Sequence, residues 1–210
     1  IRFMGGVWKK IPYTYTLMII GTLALTGFPF LSGYYSKDAI IEFAYLKDNT
    51  IGNYVAAVGI FTALLTAIYS WRLIFKTFHG KYNNKKNQFS SIKESTFIMI
   101  VPSCFLALGS ILSGFIFKEI FIGNNTQFWN DSILFLNLII HDHPPIWLIV
   151  LTPFLIILAI PISYYLFLKN LDILRYFIQK NQFLYNFLIN KWYFDDLYNF
   201  IFVEPVKKIG

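Results

Sequence analysis

The sequence predicts an all-α fold, a polytopic bundle of transmembrane helices in which one helix is discontinuous. Of the 210 residues, 56% are hydrophobic, 20% are aromatic and 14% are charged, and the mean hydropathy is +0.54. This leaves too little polar surface to cover a water-soluble globule, so the composition excludes a soluble domain. In addition, uncharged runs of roughly 20 residues recur along the chain, which is the length that a helix needs to cross a bilayer. A further apolar run, interrupted by glycine and proline, predicts the discontinuous helix.

Residues 1–12 predict a loop on the cytoplasmic or matrix side, and residues 13–46 predict the broken helix. The apolar run that ends at Thr26 covers only about 20 Å, too little to cross a hydrocarbon core about 30 Å thick. The segment Gly27 to Gly33, which contains Pro29, interrupts the helix, and the two halves together make one span. Backbone unwinds inside a membrane only where it is buried in protein or lines a polar cavity. We therefore expect water near this hinge.

Three further spans follow, and the remaining residues form an outer loop and an interfacial segment. The predicted spans are 53–76, 97–117 and 146–168, the outer loop is 118–145, and the interfacial helical segment is 169–210. Prolines inside the last two spans predict kinks, since packed membrane helices can satisfy the backbone groups that proline frees. Lysine and arginine cluster at alternate ends of the four spans, which predicts that those ends face the cytoplasm or matrix.

Lys37 is the strongest candidate for a functional residue. It follows the break by four residues, so we expect it in the first turn of the second half-helix, well inside the membrane. An ionisable side chain at that depth indicates function by default, and both the helix dipole and desolvation disfavour its charged form. The alternative is a lysine whose amine snorkels to the interface. Asp38 is either a proton-relay group or an acid that complements the helix dipole.

Several other polar residues give weaker signals. Arg72 lies just inside a basic end and either snorkels or faces the interior. Thr62, Thr66 and Tyr69 recur on one helix face, where interhelical hydrogen bonding is favoured over the lining of a water chain. The tract His141 to His143 resembles a short metal site, but a solvated loop is favoured there.

Composition also limits cofactors and partners. Cys104 is the single cysteine, so this chain alone holds no disulfide, iron–sulfur cluster or thiolate zinc site, and we predict no metal or cofactor site in it. The net charge is +7, but the basic residues flank predicted membrane spans. We therefore expect lipid as a partner and no nucleic acid.

Five motifs, in order along the chain, resemble the antiporter-like subunit L family of the respiratory proton-pumping NADH:quinone oxidoreductase, complex I. The motifs are Met4–Pro12, Gly21–Pro29, Ser32–Asp38, Tyr69–Leu73 with Phe78–Gly80, and Lys191–Tyr198. The similarity therefore runs over nearly the whole chain. Because the chain opens at Ile1 without an initiator methionine or a signal peptide, we interpret it as an internal piece of a longer protein.

The resemblance implies the C-terminal part of the antiporter-like core, with earlier helices and a lateral helix outside this sequence. It implies that Lys37, with Asp38 beside it, transfers protons in a half-channel that is coupled to electron transfer from NADH to quinone elsewhere. This chain would then be a non-redox subunit of a translocase, with NADH, FMN, iron–sulfur clusters and quinone in the parent complex. Its partners would be other membrane-arm subunits, in a bacterial inner membrane or a mitochondrial inner membrane.

Two alternatives remain open from the residues. The chain could belong to the large subunit of a multisubunit sodium/proton antiporter, which resembles the same family along the same helices. It could also be a structural anchor in which Lys37 joins an interhelical salt bridge.

Overall fold

The structure is a computed structural model that describes residues 4–81, 92–123, 128–129, 132 and 144–209. Every regular element within those residues is helical, which confirms the all-α class. The chain divides into two compact units, Ile1–Leu168 and Lys169–Gly210. The candidate site lies in the first unit.

Five long helices build the first unit. They are α1 (Pro12–Thr26), α2 (Ser32–Leu46), α3 (Thr50–Ile74), α4 (Phe97–Phe121) and α5 (Ile146–Tyr164). The π-helical turns Phe75–His79 and Tyr165–Lys169 extend α3 and α5. Three segments are long and apolar enough to cross a membrane: Thr50–His79, Phe97–Phe121 and Ile146–Lys169.

Local chemistry explains where these helices begin and how they continue. Helix α3 starts three residues before the predicted Asn53, because the side chain of Asn49 accepts a hydrogen bond from the Gly52 N–H at 2.6 Å and caps the first turn. Helices α4 and α5 continue through their internal prolines, as packed membrane helices can.

Helices α1 and α2 together run along the whole of α3 in the opposite direction. Leu23 of α1 packs against the cluster that contains Trp71, near the end of α3. Ile41 of α2 packs against Ala56, near the beginning of α3. The two short helices therefore follow one another along α3, as two halves of one interrupted span do and a hairpin does not.

Helix α5 runs in the same direction as α3, and α4 runs with α1 and α2. Leu148 packs near Ala56, and Ile156 packs near Ala67 further along the same helix. The beginning of α4 meets the beginning of α1, whereas the neighbourhood of Gly114, late in α4, meets Ser32 at the beginning of α2. Chain direction therefore alternates through the bundle, as the distribution of basic residues predicts.

The break is shorter than the sequence predicts. Gly27 (φ 86°) and Phe30 (φ 70°) adopt left-handed backbone conformations, and α2 already begins at Ser32. Gly33 therefore lies in the first turn of α2, not in the unwound segment, and Lys37 lies in the second turn. The expectation of a first-turn lysine was wrong, so the helix dipole acts on Lys37 more weakly than expected, since its effect fades within the first turn.

Gly33 is needed for close packing instead of unwinding. A Cβ atom at this position would overlap the carbonyl oxygen of Ala24, in the last turn of α1. Glycine therefore lets the two half-helices approach each other directly across the break.

Glu94, in the segment that precedes α4, caps the beginning of α1. Its carboxylate accepts hydrogen bonds from the Tyr13 N–H at 2.9 Å and the Thr14 N–H at 3.4 Å, and from the Thr14 hydroxyl. These are N–H groups that a helix terminus leaves without an internal partner. Burial alone would raise the pKa of Glu94, but the hydrogen bonds from Thr14, Tyr13 and Ser95 outweigh it and hold that pKa below its usual value.

The second unit is a series of shorter helices. They are α6 (Leu171–Lys180), α7 (Gln182–Ile189), α8 (Phe194–Tyr198) and α9 (Glu204–Ile209). Two exposed ion pairs lie on this unit, Asp172 with Arg175 at 3.2 Å and Lys191 with Asp195 at 2.9 Å. Exposed pairs of this kind contribute little stability. The interfacial position of the segment stays a prediction.

Much of the predicted outer loop lies outside the described residues. Helix α4 continues to Phe121, so the first residues of the predicted loop are helical. Trp129 donates its indole N–H to the carbonyl of Ile120 at 2.9 Å. The tract His141 to His143 lies outside the described residues.

Gly33→Ala should destabilise the bundle, because its new Cβ would collide with backbone that cannot move aside. Overpacking of this kind costs about 1–3 kcal/mol. Gly21→Ala is the matched control, since nothing lies within 4 Å of a Cβ there. Thermal unfolding of the purified whole protein in detergent should show a lower Tm for Gly33→Ala alone; equal Tm values would contradict the close approach.

Glu94→Ala should loosen the first turn of α1 by about 1 kcal/mol, the usual cost of losing a helix cap. Amide hydrogen exchange at Tyr13 and Thr14 should then be roughly fivefold faster, while Glu119→Ala, an exposed change at the far end of α4, should leave it unaltered. Because the pKa of Glu94 is lowered in the folded protein, its carboxylate stabilises α1 fully at any pH above the ordinary glutamate pKa. This stabilisation should be lost as the pH falls through the lowered pKa of the folded protein. If neither Glu94→Ala nor a fall in pH alters amide exchange at Tyr13 and Thr14, Glu94 does not cap α1.

Candidate functional site

Lys37 and Asp38 bring two ionisable side chains into the interior of the bundle. Asp38 is 6% exposed. The Nζ atom of Lys37 and both carboxylate oxygens of Asp38 are buried and have no hydrogen-bond partner among the described residues. The two side chains are not ion-paired with each other, since consecutive helical residues point about 100° apart. The site is therefore a pair of buried polar groups that have no hydrogen-bond partners among the described residues.

The depth of Lys37 follows from the packing of α2 on α3. A Cβ atom on Gly59 of α3 would lie 3.0 Å from Cγ1 of Ile41. Lys37 precedes Ile41 by one helical turn on the same face, so it lies level with about Ala63, which is 1% exposed. Ala63 is near the middle of α3, so the backbone of Lys37 lies level with the middle of that candidate span, and its Nζ atom is buried. The structure gives no support to snorkelling.

Tyr34 and Glu42 extend the face of α2 that carries Asp38. They lie one turn before and one turn after Asp38, and both are partly buried. Tyr34 is not among the site residues predicted from the sequence, although its spacing of four residues from Asp38 is the signal that identifies it. One face of α2 thus carries a column of titratable oxygens beside the lysine.

A cavity of about 250 Å³ lies between α2 and α4, close to the break. Its lining includes Ser32, Tyr35 and Ser36 of α2 and Lys118 of α4. Ser36 and Asp38 are about 200° apart around the helix, so this cavity lies against the other face of α2. It does not reach the Lys37–Asp38 pair.

Arg72 is not part of the pair's surroundings. Its side chain is exposed, and its guanidinium carbon lies 5.5 Å from the ring centroid of Phe167. It is also about 13 Å along α3 from the level of Ala63. Within the described chain, Arg72 is a residue of the basic end.

The predicted hydrogen bonds between helices from Thr62 and Thr66 were wrong. The Thr62 hydroxyl donates to the carbonyl of Val58 at 2.7 Å, and the Thr66 hydroxyl donates to the carbonyl of Thr62 at 2.7 Å. Tyr69 is 55% exposed. This face of α3 points away from the other described helices, and its threonine hydroxyls are satisfied within their own helix.

A contact that the sequence did not reveal lies at the basic end of the bundle. The hydroxyl of Tyr15 is 2.8 Å from Nε2 of His79, and Trp8 stacks on the same imidazole. The N–H of Gly6 donates to the carbonyl of His79 at 3.2 Å. The contacting residues are 64 or more positions apart in the chain, so spacing alone could not place them together.

Two family models match this chain. The model described as NADH dehydrogenase subunit 5 C-terminus matches residues 69–207. The chain belongs to this family. A second model, described as NADH:quinone oxidoreductase/Mrp antiporter, TM, matches residues 1–66 and therefore covers α1, the break and α2.

Individual relatives agree with this membership. NADH-ubiquinone oxidoreductase chain 5 of Phytophthora infestans is 38% identical over 100% of this chain and 32% of its own length. The protein of the same name from Acanthamoeba castellanii is 38% identical over 97% of this chain and 31% of its own. NADH-quinone oxidoreductase subunit L of Rickettsia bellii is 36% identical over 97% of this chain and 32% of its own. The chain thus spans about a third of the length of the curated relatives that it matches.

Replacing Lys37 with methionine should leave the Tm of the whole protein unchanged or raise it. The amine has no hydrogen-bond partner among the described residues, and burying such a polar group costs free energy that an apolar side chain of similar volume does not. Thermal unfolding in detergent measures the effect. A clear fall in Tm would instead support the structural anchor, in which Lys37 belongs to a salt bridge.

Proposed function

We propose that this chain is part of a membrane subunit that translocates protons in NADH:quinone oxidoreductase, and that Lys37 is the group that takes up and releases the proton. One observation carries the proposal. A buried amine without a partner among the described residues lies near the middle of a span and close to a helix break. It does so in a member of the NADH dehydrogenase subunit 5 family.

Burial without a partner makes the protonation of Lys37 sensitive to its surroundings. A charged ammonium in a poorly polarisable interior is expensive, and the interaction of a nearby charge with it is strong there. A modest change in the local electric field therefore moves the amine between its two protonation states. Electron transfer elsewhere in the complex would supply such a change.

Asp38 is the second proton-transfer residue of the proposal. Its carboxylate is buried beside Lys37 on α2, and Glu42 and Tyr34 continue the same face. A carboxylate that loses its proton favours an ammonium nearby, and one that gains a proton releases that constraint. Transfer between the two groups requires a mobile bridge, since they point in different directions.

The break supplies flexibility and polar backbone about one helical turn from the level of Lys37. Gly27 and Pro29 form the hinge, because the left-handed backbone at Gly27 and the missing N–H of proline end the regular hydrogen bonding of α1. Gly33 closes the hinge against Ala24. Freed backbone groups in a membrane interior favour water beside them.

The rest of the activity belongs to other chains in this proposal. NADH, FMN, the iron–sulfur clusters and quinone act in other subunits, and this chain is a non-redox part of the translocase. Its partners are membrane-arm subunits and lipid, in a bacterial inner membrane or a mitochondrial inner membrane. The relatives named for NADH oxidation, from both eukaryotes and a bacterium, support this assignment.

The second candidate function is sodium/proton antiport. The description of the family model that covers residues 1–66 names the Mrp antiporter together with NADH:quinone oxidoreductase. Against it, the longer match over residues 69–207 is to the NADH dehydrogenase subunit 5 model. Sodium-dependent proton exchange in vesicles without NADH would favour the antiporter.

Lys37→Ala in the whole enzyme should lower NADH-driven proton translocation by at least about a hundredfold, the low end of what a positioned proton-transfer group contributes. Asp38→Asn should lower it as well. Lys47→Ala is the control, because this lysine follows the end of α2 and is exposed. Proton uptake and NADH oxidation are measured together in sealed vesicles, and native gels measure assembly. An unchanged rate and proton-to-electron ratio in Lys37→Ala would reject the proposal.

A further inference from the structure

Ser70 and Trp71 form a second set of buried polar groups without partners. Ser70 is 5% exposed and Trp71 is 7% exposed, and neither the Ser70 Oγ atom nor the Trp71 Nε1 atom has a hydrogen-bond partner among the described residues. Other buried hydroxyls nearby are satisfied. Thr26 donates to the Leu23 carbonyl at 3.1 Å, and Ser163 donates to the Ile68 carbonyl at 3.5 Å.

Ser70 belongs to the face of α3 that packs on the discontinuous helix. Ala56, Ala63 and Ser70 recur every seven residues, which is nearly two full turns, so the three side chains share one face. Ala56 packs against Ile41 of α2. Leu148 of α5 packs there as well, so the same face at Ser70 points toward the interrupted helix and α5. Its position is about 10 Å along α3 from the level of Lys37.

The break lies between these two levels. Ile156 packs with Ala67, which is between Ala63 and Ser70 on α3. The same Ile156 side chain lies 3.5 Å from the position that a Cβ on Gly27 would take. At the end of α1, the Gly27 N–H donates to the Ala24 carbonyl at 3.3 Å and the Phe28 N–H donates to the Leu23 carbonyl at 3.0 Å. The later carbonyl groups, of Leu25 and Thr26, have no next turn of helix to bond them. Polar atoms thus recur from Lys37 past the hinge to Ser70.

An apolar cluster lies next to Ser70, on the side away from Lys37. Trp71 packs with Val7, Ile74, Phe75 and Phe78, and every member of the cluster is at most 7% exposed. Beyond it, at the basic end, lies the Tyr15–His79 contact. Trp71 therefore belongs to this apolar cluster, while its indole N–H has no hydrogen-bond partner among the described residues.

We propose that Ser70 and Trp71 bind ordered water molecules that continue from Lys37 past the break and end at this apolar cluster. Buried polar groups are satisfied by internal water where protein offers no partner, and such water sits at sites with several polar atoms. Lys37 then exchanges its proton with this enclosed water, and the cluster prevents leakage to the basic end. The water's part in proton transfer rests on the proposed function; its binding does not.

Cryo-electron microscopy of the whole enzyme at a resolution that shows water tests the binding. We expect density within hydrogen-bonding distance of Ser70 Oγ and Trp71 Nε1, and its loss in Ser70→Ala. Ser163→Ala is the matched control, a buried serine of α5 whose hydroxyl already has a partner, and it should keep the density. In vesicles, Ser70→Ala and Trp71→Phe should each lower NADH-driven proton translocation by roughly two- to tenfold, the range of one hydrogen bond, whereas Ser163→Ala should not.

The outcomes separate the two proposals. No density at Ser70 and Trp71, or another protein group bonded to them, would overturn the water site even if Lys37→Ala still abolished translocation. Density there together with full translocation in Lys37→Ala would support the water site and reject the proposed function. Full translocation in Ser70→Ala and Trp71→Phe would overturn the role of this water in proton transfer.

Discussion

The architecture depends on one constraint, which is that a polypeptide backbone in an apolar medium must satisfy its polar groups. A continuous helix does so by itself, and α3, α4 and α5 follow that solution. The segment between Thr26 and Ser32 does not. Its Gly27 end packs against Ile156 of α5, whereas Phe30 is exposed. The packing of α2 and α5 on α3 buries the polar side chains nearby. The same constraint that makes the break costly thus concentrates the polar chemistry of the first unit around it.

Apolar length and charge predicted most of the fold, because both are local properties of the sequence. The three candidate spans overlap the predicted runs, and they differ at their ends where local chemistry intervenes, as at the Asn49 cap. The extent of the break was mispredicted at Gly33. Glycine signals both unwinding and close packing, and only the approach of Ala24 from another helix distinguishes the two.

The candidate site was predictable in part. The burial of Lys37 followed from its distance to the break along one helix. The threonines of α3 were misjudged because periodicity shows which residues share a face but not what the face meets. Tyr15 and His79 could not be paired from sequence at all, since their contact joins distant helices. Ser70 could not be identified from sequence, because only the structure shows that its hydroxyl lacks a hydrogen-bond partner while the Ser163 hydroxyl has one.

The glycine at position 33 also restricts how the discontinuous helix can bend. Its α-carbon rests against the main chain of the preceding half, so the elbow is already fully closed on that side and has no room to fold further. Bending toward that side is therefore blocked. A motion that opens the joint would draw the two halves apart and enlarge the space between them.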